Sequence, residues 1–93
     1  MRAVFKYEFS RHQGLNVSIV MPRDSNILCV HHQNGNIFLW ADVIADKDAS
    51  CVRAVLRKFK LVLTGDPVPD GKYIGTVFIP EPYEVVHVYE VTR

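Results

Sequence analysis

The stretch Ile27-Leu28-Cys29-Val30-His31-His32-Gln33-Asn34-Gly35-Asn36-Ile37-Phe38-Leu39-Trp40-Ala41-Asp42-Val43 decides the fold. Its centre, Asn34-Gly35, is the dipeptide that best tolerates positive φ at both central positions of a type I′ turn, so it joins two strands by a two-residue loop. The loop length also sets a register. Gln33 faces Asn36, His31 faces Phe38, Cys29 faces Trp40 and Ile27 faces Asp42 on one side; His32–Ile37, Val30–Leu39 and Leu28–Ala41 share the other. Both sides carry large apolar residues, which predicts a hairpin in the middle of the fold, between two layers or within a closed barrel.

Working outward, Phe5, Tyr7 and Phe9 alternate with Val4, Lys6 and Glu8, the period-two pattern of a strand with one buried face. The polar segment Ser10 to Gly14 separates it from a second alternating run, Leu15, Val17, Ile19 and Met21, and predicts a hairpin of these two strands. Pro22 ends the second ladder, and Arg23-Asp24-Ser25-Asn26 is turn chemistry. Ala45 to Ser50 reads as a loop. Val52, Val55, Leu56 and Phe59 have helical spacing, whereas Arg57, Phe59, Leu61 and Leu63 alternate with Lys58, Lys60 and Val62. A strand from about Leu56 to Thr64 follows, preceded by at most a short helix near residues 49–56, which Ser50 would cap.

The two prolines and two glycines of Thr64 to Gly71 make a loop, Tyr73 to Ile79 is a strand in which Gly75 marks a bulge or close backbone approach, and Glu84 to Val91 is the last strand. The expected fold is mainly β, an antiparallel sandwich or small barrel of about seven strands, in one domain over residues 1–93. Trp40, Phe38, Phe78 and Tyr89 are expected in its core.

The chain has 93 residues, 48% of them apolar, with 11 Lys+Arg against 10 Asp+Glu and a net charge of +1. That is an ordinary globular composition, without the long-range field that steers a protein onto a phosphate backbone or a membrane surface. No run approaches the roughly 18 apolar residues of a spanning helix, and the first twenty residues alternate instead of forming a signal sequence. These features predict a cytosolic protein in which Cys29 and Cys51 are free thiols.

Chemistry-bearing constellations are sparse. Cys29 and His31 share a strand face, but His12, His31, His32 and His87 do not supply the two closely spaced pairs of a zinc site, and no oriented base or oxyanion hole accompanies Cys29. No nucleophile elbow, phosphate-cradling loop or metal-binding helix motif occurs, so no enzyme activity, metal or cofactor is expected. The basic cluster Arg53, Arg57, Lys58 and Lys60 reads either as a solvated strand face or as an anion site next to a stacking aromatic such as Tyr73. The loop from Thr64 to Gly71, with Asp66 and Asp70, is the other candidate binding element.

One further pattern spans nearly the whole chain: Met21-Pro22, Ile27-Leu28-x-Val30, Gln33-Asn34-Gly35, Leu39-Trp40-Ala41, Thr64-Gly65-x-Pro67-x-Pro69, Tyr73-Ile74-Gly75-Thr76 and Val86-His87-Val88-Tyr89-Glu90. It resembles a family of small proteins of unknown function encoded by tailed bacteriophages. The resemblance implies a viral accessory protein acting in the host cytoplasm and assigns no catalytic residues. The expected function is therefore non-enzymatic binding of a host macromolecule, for instance as a defence antagonist, through a sheet edge and the Thr64–Gly71 loop. Alternatives are a binder of a small anionic ligand such as a signalling nucleotide, contacted by Arg53, Arg57 and Lys60, and a minor virion component. An open sheet edge also predicts a homodimer.

Overall fold

The computed structural model describes residues 1–45, 53–80 and 83–92. Its seven strands are β1 (Arg2–Glu8), β2 (Asn16–Pro22), β3 (Asn26–Gln33), β4 (Asn36–Ile44), β5 (Ala54–Leu63), β6 (Gly71–Ile79) and β7 (Glu84–Val91). They form two antiparallel sheets, β1-β4-β3 and β2-β5-β7-β6, and the sheets stay open instead of closing into a barrel. Between them lies one core. The inner side chains of β4 (Ile37, Leu39, Ala41, Val43) meet Val17, Ile19 and Met21 of β2, Phe59 and Leu61 of β5, Val77 and Ile79 of β6, and Val86 and Val88 of β7. Phe9 and Phe59 supply its largest rings, with centroids 5.4 Å apart.

Asn34 and Gly35 have φ of 53° and 82°, as the two-residue turn requires. The pairs from Gln33–Asn36 to Cys29–Trp40 form as expected. Beyond them a bulge at Leu28 shifts the register, so Ile27 pairs with Ala41 and not with Asp42. The extra residue turns Ile27 toward the core and leaves Leu28 50% exposed, which lets an apolar side chain on each side of the kink find a different face.

Four expectations are corrected. The first two strands do not pair with each other: β1 pairs with β4 and β2 with β5, in opposite sheets. A 3-10 turn at Arg11–Gln13 and Gly14, at φ 68°, carry the chain across the sandwich, with Phe9 buried at the crossing. Alternation specifies which face of a strand is buried and leaves its neighbour open. The hairpin β3–β4 is central only in the sense that β4 is the middle strand of its sheet; its second face is the protein surface. The aromatic residues follow suit. Trp40, Phe38 and Tyr89 are half-buried and Phe78 is exposed, because Leu39, Ala41, Val77 and Val88, of opposite parity, take the inner side. Ala54, Val55 and Leu56 are strand residues facing Pro22, Met21 and Val20, not helix; residues 49–52 of that expectation lie outside the described residues.

Gly75 follows the bulge at Ile74 in β6 and lies against β3, where a Cβ would come within 3.0 Å of Val30. At Gly71 the approach is closer still, since a Cβ would sit 2.0 Å from the Glu90 carbonyl oxygen. That is backbone, and it has no side-chain rotamer through which to yield. Gly71→Ala should destabilise the protein by roughly 1–3 kcal/mol in urea unfolding, the usual penalty for overpacking, while Lys72→Ala next to it should change stability by less than about 0.5 kcal/mol.

Candidate functional site

The outer face of the three-stranded sheet is built by parity. In β1 the odd residues point inward, so Arg2, Val4, Lys6 and Glu8 line the outside opposite Asp42, Trp40 and Phe38 of β4, and Cys29 and His31 of β3 lie across β4 from them. Val4, Leu28, Cys29, His31 and Trp40 line an open groove of about 500 Å³. Phe38 packs beside Trp40 with ring centroids 6.2 Å apart. The Lys6 ammonium lies 4.7 Å above the Phe38 ring and donates to Gln33 Oε1 at 3.2 Å, and Arg2 Nε donates to Asp42 at 2.7 Å. The result is an apolar strip with a charged rim. The sequence carried its signal, a hairpin apolar on both sides, and only the absence of a second covering layer among the described residues turns that signal into a surface.

The outer face of the four-stranded sheet collects most of the loop and lysine candidates. Lys58 and Lys60 face outward opposite Ser18 and Asn16, and Lys60 also pairs with Tyr89. Thr64 Oγ1 lies 3.0 Å from His87 Nε2, His87 Nδ1 lies 2.9 Å from Thr76 Oγ1, and Thr76 Oγ1 lies 2.6 Å from the Tyr73 hydroxyl. Both imidazole nitrogens are thus held between threonine hydroxyls, which fixes the ring and ties the start of the loop to the sheet. Tyr73 meets Tyr89 edge-on at 5.4 Å. Next to this chain, Val62, Thr64, Asp66, Val68, His87 and Tyr89 line a depression of about 220 Å³. The loop covers Val62, which is 3% exposed although its register puts it on the outer side. Sequence reasoning weighed His87 only as a metal ligand and missed it here; its partners come from one other strand and a turn, and no spacing records that.

Arg57 does not join this face. It has the parity of Phe59 and Leu61 and points between the sheets, where Nε and Nη2 each donate to the Glu90 carboxylate at 2.6 Å and Nη1 donates to the Ser25 carbonyl at 2.5 Å. The bond to Glu90 holds the guanidinium above its ordinary pKa, against the opposing effect of burial. Its fork therefore links β5, β7 and the β2–β3 turn, in which Ser25 is buried and its hydroxyl donates to the Pro22 carbonyl. Arg53 is exposed, its carbonyl accepting from Arg23 N–H at 2.6 Å, and the Asp70 carbonyl accepts from Thr92 N–H at 3.1 Å.

Among the described residues no group of three or more His, Cys, Asp or Glu side chains is placed to hold a metal ion. His12 sits in the 3-10 turn, His31 is exposed, and His32 is half-buried with its Nδ1 covered and without a hydrogen-bond partner among the described residues. Cys29 carries a free, exposed thiol, and Cys51 lies outside the described residues.

The chain belongs to the family described as Domain of unknown function (DUF7352), which it matches over residues 1–93. No curated protein and no solved structure matches it.

The Arg57–Glu90 pair sets a stability test, because 21% and 19% of the two side chains remain exposed and the rest is out of water. Arg57→Met, which strands the carboxylate, should cost roughly 2–4 kcal/mol, somewhat less than a fully buried pair, and Arg57→Met with Glu90→Leu should recover most of that loss in chemical denaturation.

Proposed function

We propose that this domain is a non-enzymatic binding protein that docks a partner protein on the outer face of its three-stranded sheet. The carrying observation is the groove of about 500 Å³ in which half-buried Trp40 stands among exposed Val4, Leu28, Cys29 and His31. Aromatic anchors surrounded by apolar contacts and a charged rim are the composition that supplies most of the binding energy at protein interfaces. The groove is open, which suits an extended or helical segment with apolar anchors, and Lys6 at its rim suits an acidic residue in that segment. The resemblance to small tailed-bacteriophage proteins supports extending this reading to a viral accessory protein that binds a protein of its bacterial host in the cytoplasm, with antagonism of a defence protein as one such role.

A second reading has its own observation. Lys58 and Lys60 stand beside Tyr89 and the depression of about 220 Å³ under the loop, an arrangement suited to a small anion. That volume is below the roughly 300–1,000 Å³ usual for pockets that enclose a ligand of nucleotide size, so the protein-binding reading is the stronger.

Three baits separate the two. If the groove binds a protein, a partner retained from host lysate by the wild type should be lost with Leu28→Asp and kept with Lys58→Glu/Lys60→Glu; equal retention by all three baits overturns the reading. For the second reading, a nucleotide at a hundred times its Kd should stabilise the wild type by about 2.7 kcal/mol in a thermal-shift titration and leave the double lysine variant unchanged.

A further inference from the structure

Four strands lie at sheet edges, and three of them are guarded. In β2 the hydrogen bond from Leu61 N–H to the Leu15 carbonyl sets the phase: odd residues face β5, and even ones, Ser18 among them, face outward. The Gln13 side chain occupies that outward position, accepting from Ser18 N–H at 2.9 Å and donating to its carbonyl at 3.4 Å. β3 is bulged at Leu28, β6 is bulged at Ile74, and these two edges pack against each other at Val30 and Gly75. Plugs and bulges of this kind are how sheet proteins prevent edge-to-edge pairing.

β1 has neither. It pairs with β4 without a shift over all seven residues, contains no proline, and packs on β4 with no comparable contact to the opposite sheet. The bonds from Phe9 N–H to the Ile37 carbonyl and from Ala45 N–H to the Met1 carbonyl, both 2.9 Å, show that odd residues exchange hydrogen bonds with β4. The N–H and C=O groups of Arg2, Val4, Lys6 and Glu8 therefore point to the open edge. A lysine on an edge strand usually deters pairing, but the Lys6 side chain is drawn back across the sheet over Phe38 to Gln33.

We propose that β1 pairs antiparallel with β1 of a second copy of this chain, about a two-fold axis through Phe5, to make one continuous six-stranded sheet. The register follows from charge. Centred on Phe5, all seven residues pair, Arg2 stands opposite Glu8 of the second copy at both ends, and Val4 stands opposite Lys6. Centred on Val4, Arg2 would face Lys6; centred on Lys6, that lysine would face itself. The phase agrees with the same choice, since the even residues that carry the free backbone groups become the hydrogen-bonded pairs. Phe5, 44% exposed where β1 overhangs the core, then meets its symmetry mate as a closely spaced, non-hydrogen-bonded aromatic pair. This inference rests on the backbone edge and is independent of what fills the groove.

Sedimentation equilibrium with light scattering tests it on the full chain. The wild type is expected to be a dimer. Val4→Pro should be a monomer with an unchanged far-UV circular dichroism spectrum, because it removes only an outward-facing N–H. Glu8→Arg and Arg2→Glu each put like charges face to face twice per dimer and should each raise the dimer Kd by about tenfold or more; mixed together, the two variants regain opposite charges at both ends and should form a heterodimer of near wild-type affinity. A wild type that stays monomeric at millimolar concentration overturns the proposal. So does a dimer indifferent to Val4→Pro and to both charge variants, since its interface would lie elsewhere.

Discussion

The register of β4 is the constraint on which the rest of the molecule depends. Two positive φ angles at Asn34 and Gly35 leave the hairpin no freedom to slip, and a slip of one residue would exchange Leu39, Ala41 and Val43 for Phe38, Trp40 and Asp42 as the inward set. β1 pairs along the other side of β4, and its own alternation, matched to the inward set of β4, puts Arg2, Val4, Lys6 and Glu8 outside. The apolar groove and the Arg2–Asp42 ion pair both stand on the outward face of β4 that the turn selects. The bulge at Leu28 completes the arrangement, satisfying the core with Ile27 and giving Leu28 to the surface.

The second organising element is polar. Arg57 has the position of a core residue and the chemistry of a surface one, and the conflict is resolved by surrounding its guanidinium with acceptors from Glu90 and the Ser25 carbonyl. Buried charge is tolerated only when hydrogen bonds replace the lost water. Here they also link strands of the four-stranded sheet to the turn that leads into the other sheet. The alternation puts Arg57 in phase with Phe59 and Leu61, and a basic cluster still reads from sequence as a solvated face; only the neighbouring strand supplies the Glu90 carboxylate that lets it turn inward.

The two outer faces divide the candidate chemistry. One carries apolar contact area and the thiol of Cys29; the other carries two lysines, the hydroxyl–imidazole chain through His87 and the loop after β5. The loop and lysines were legible as candidates, since prolines, glycines and like charges mark exposed segments by composition. The groove was legible only as an unexplained excess of apolar residues on both sides of a hairpin. His87 was not legible as part of this hydroxyl chain, because Thr64 and Thr76 reach it from a turn and a neighbouring strand.

What the sequence by itself determined is local: the alternation that makes seven strands, the turn at Asn34-Gly35 with the first five pairs of its ladder, the stop at Pro22, the loop from Thr64 to Gly71, and the alternation of side chains in β2 and in β5 from Arg57 onward. These follow from steric limits on φ and from the two-residue repeat of a strand, properties that act within a few residues. The tertiary structure alone decided that β1 and β2 part into different sheets, that Arg57 is part-buried against Glu90, and that the second face of the β3–β4 hairpin is left uncovered by the described residues. Each depends on which strands come to lie side by side. That choice is made by the summed burial of the whole core, and a period-two pattern, the same for every strand, carries no label for its partner.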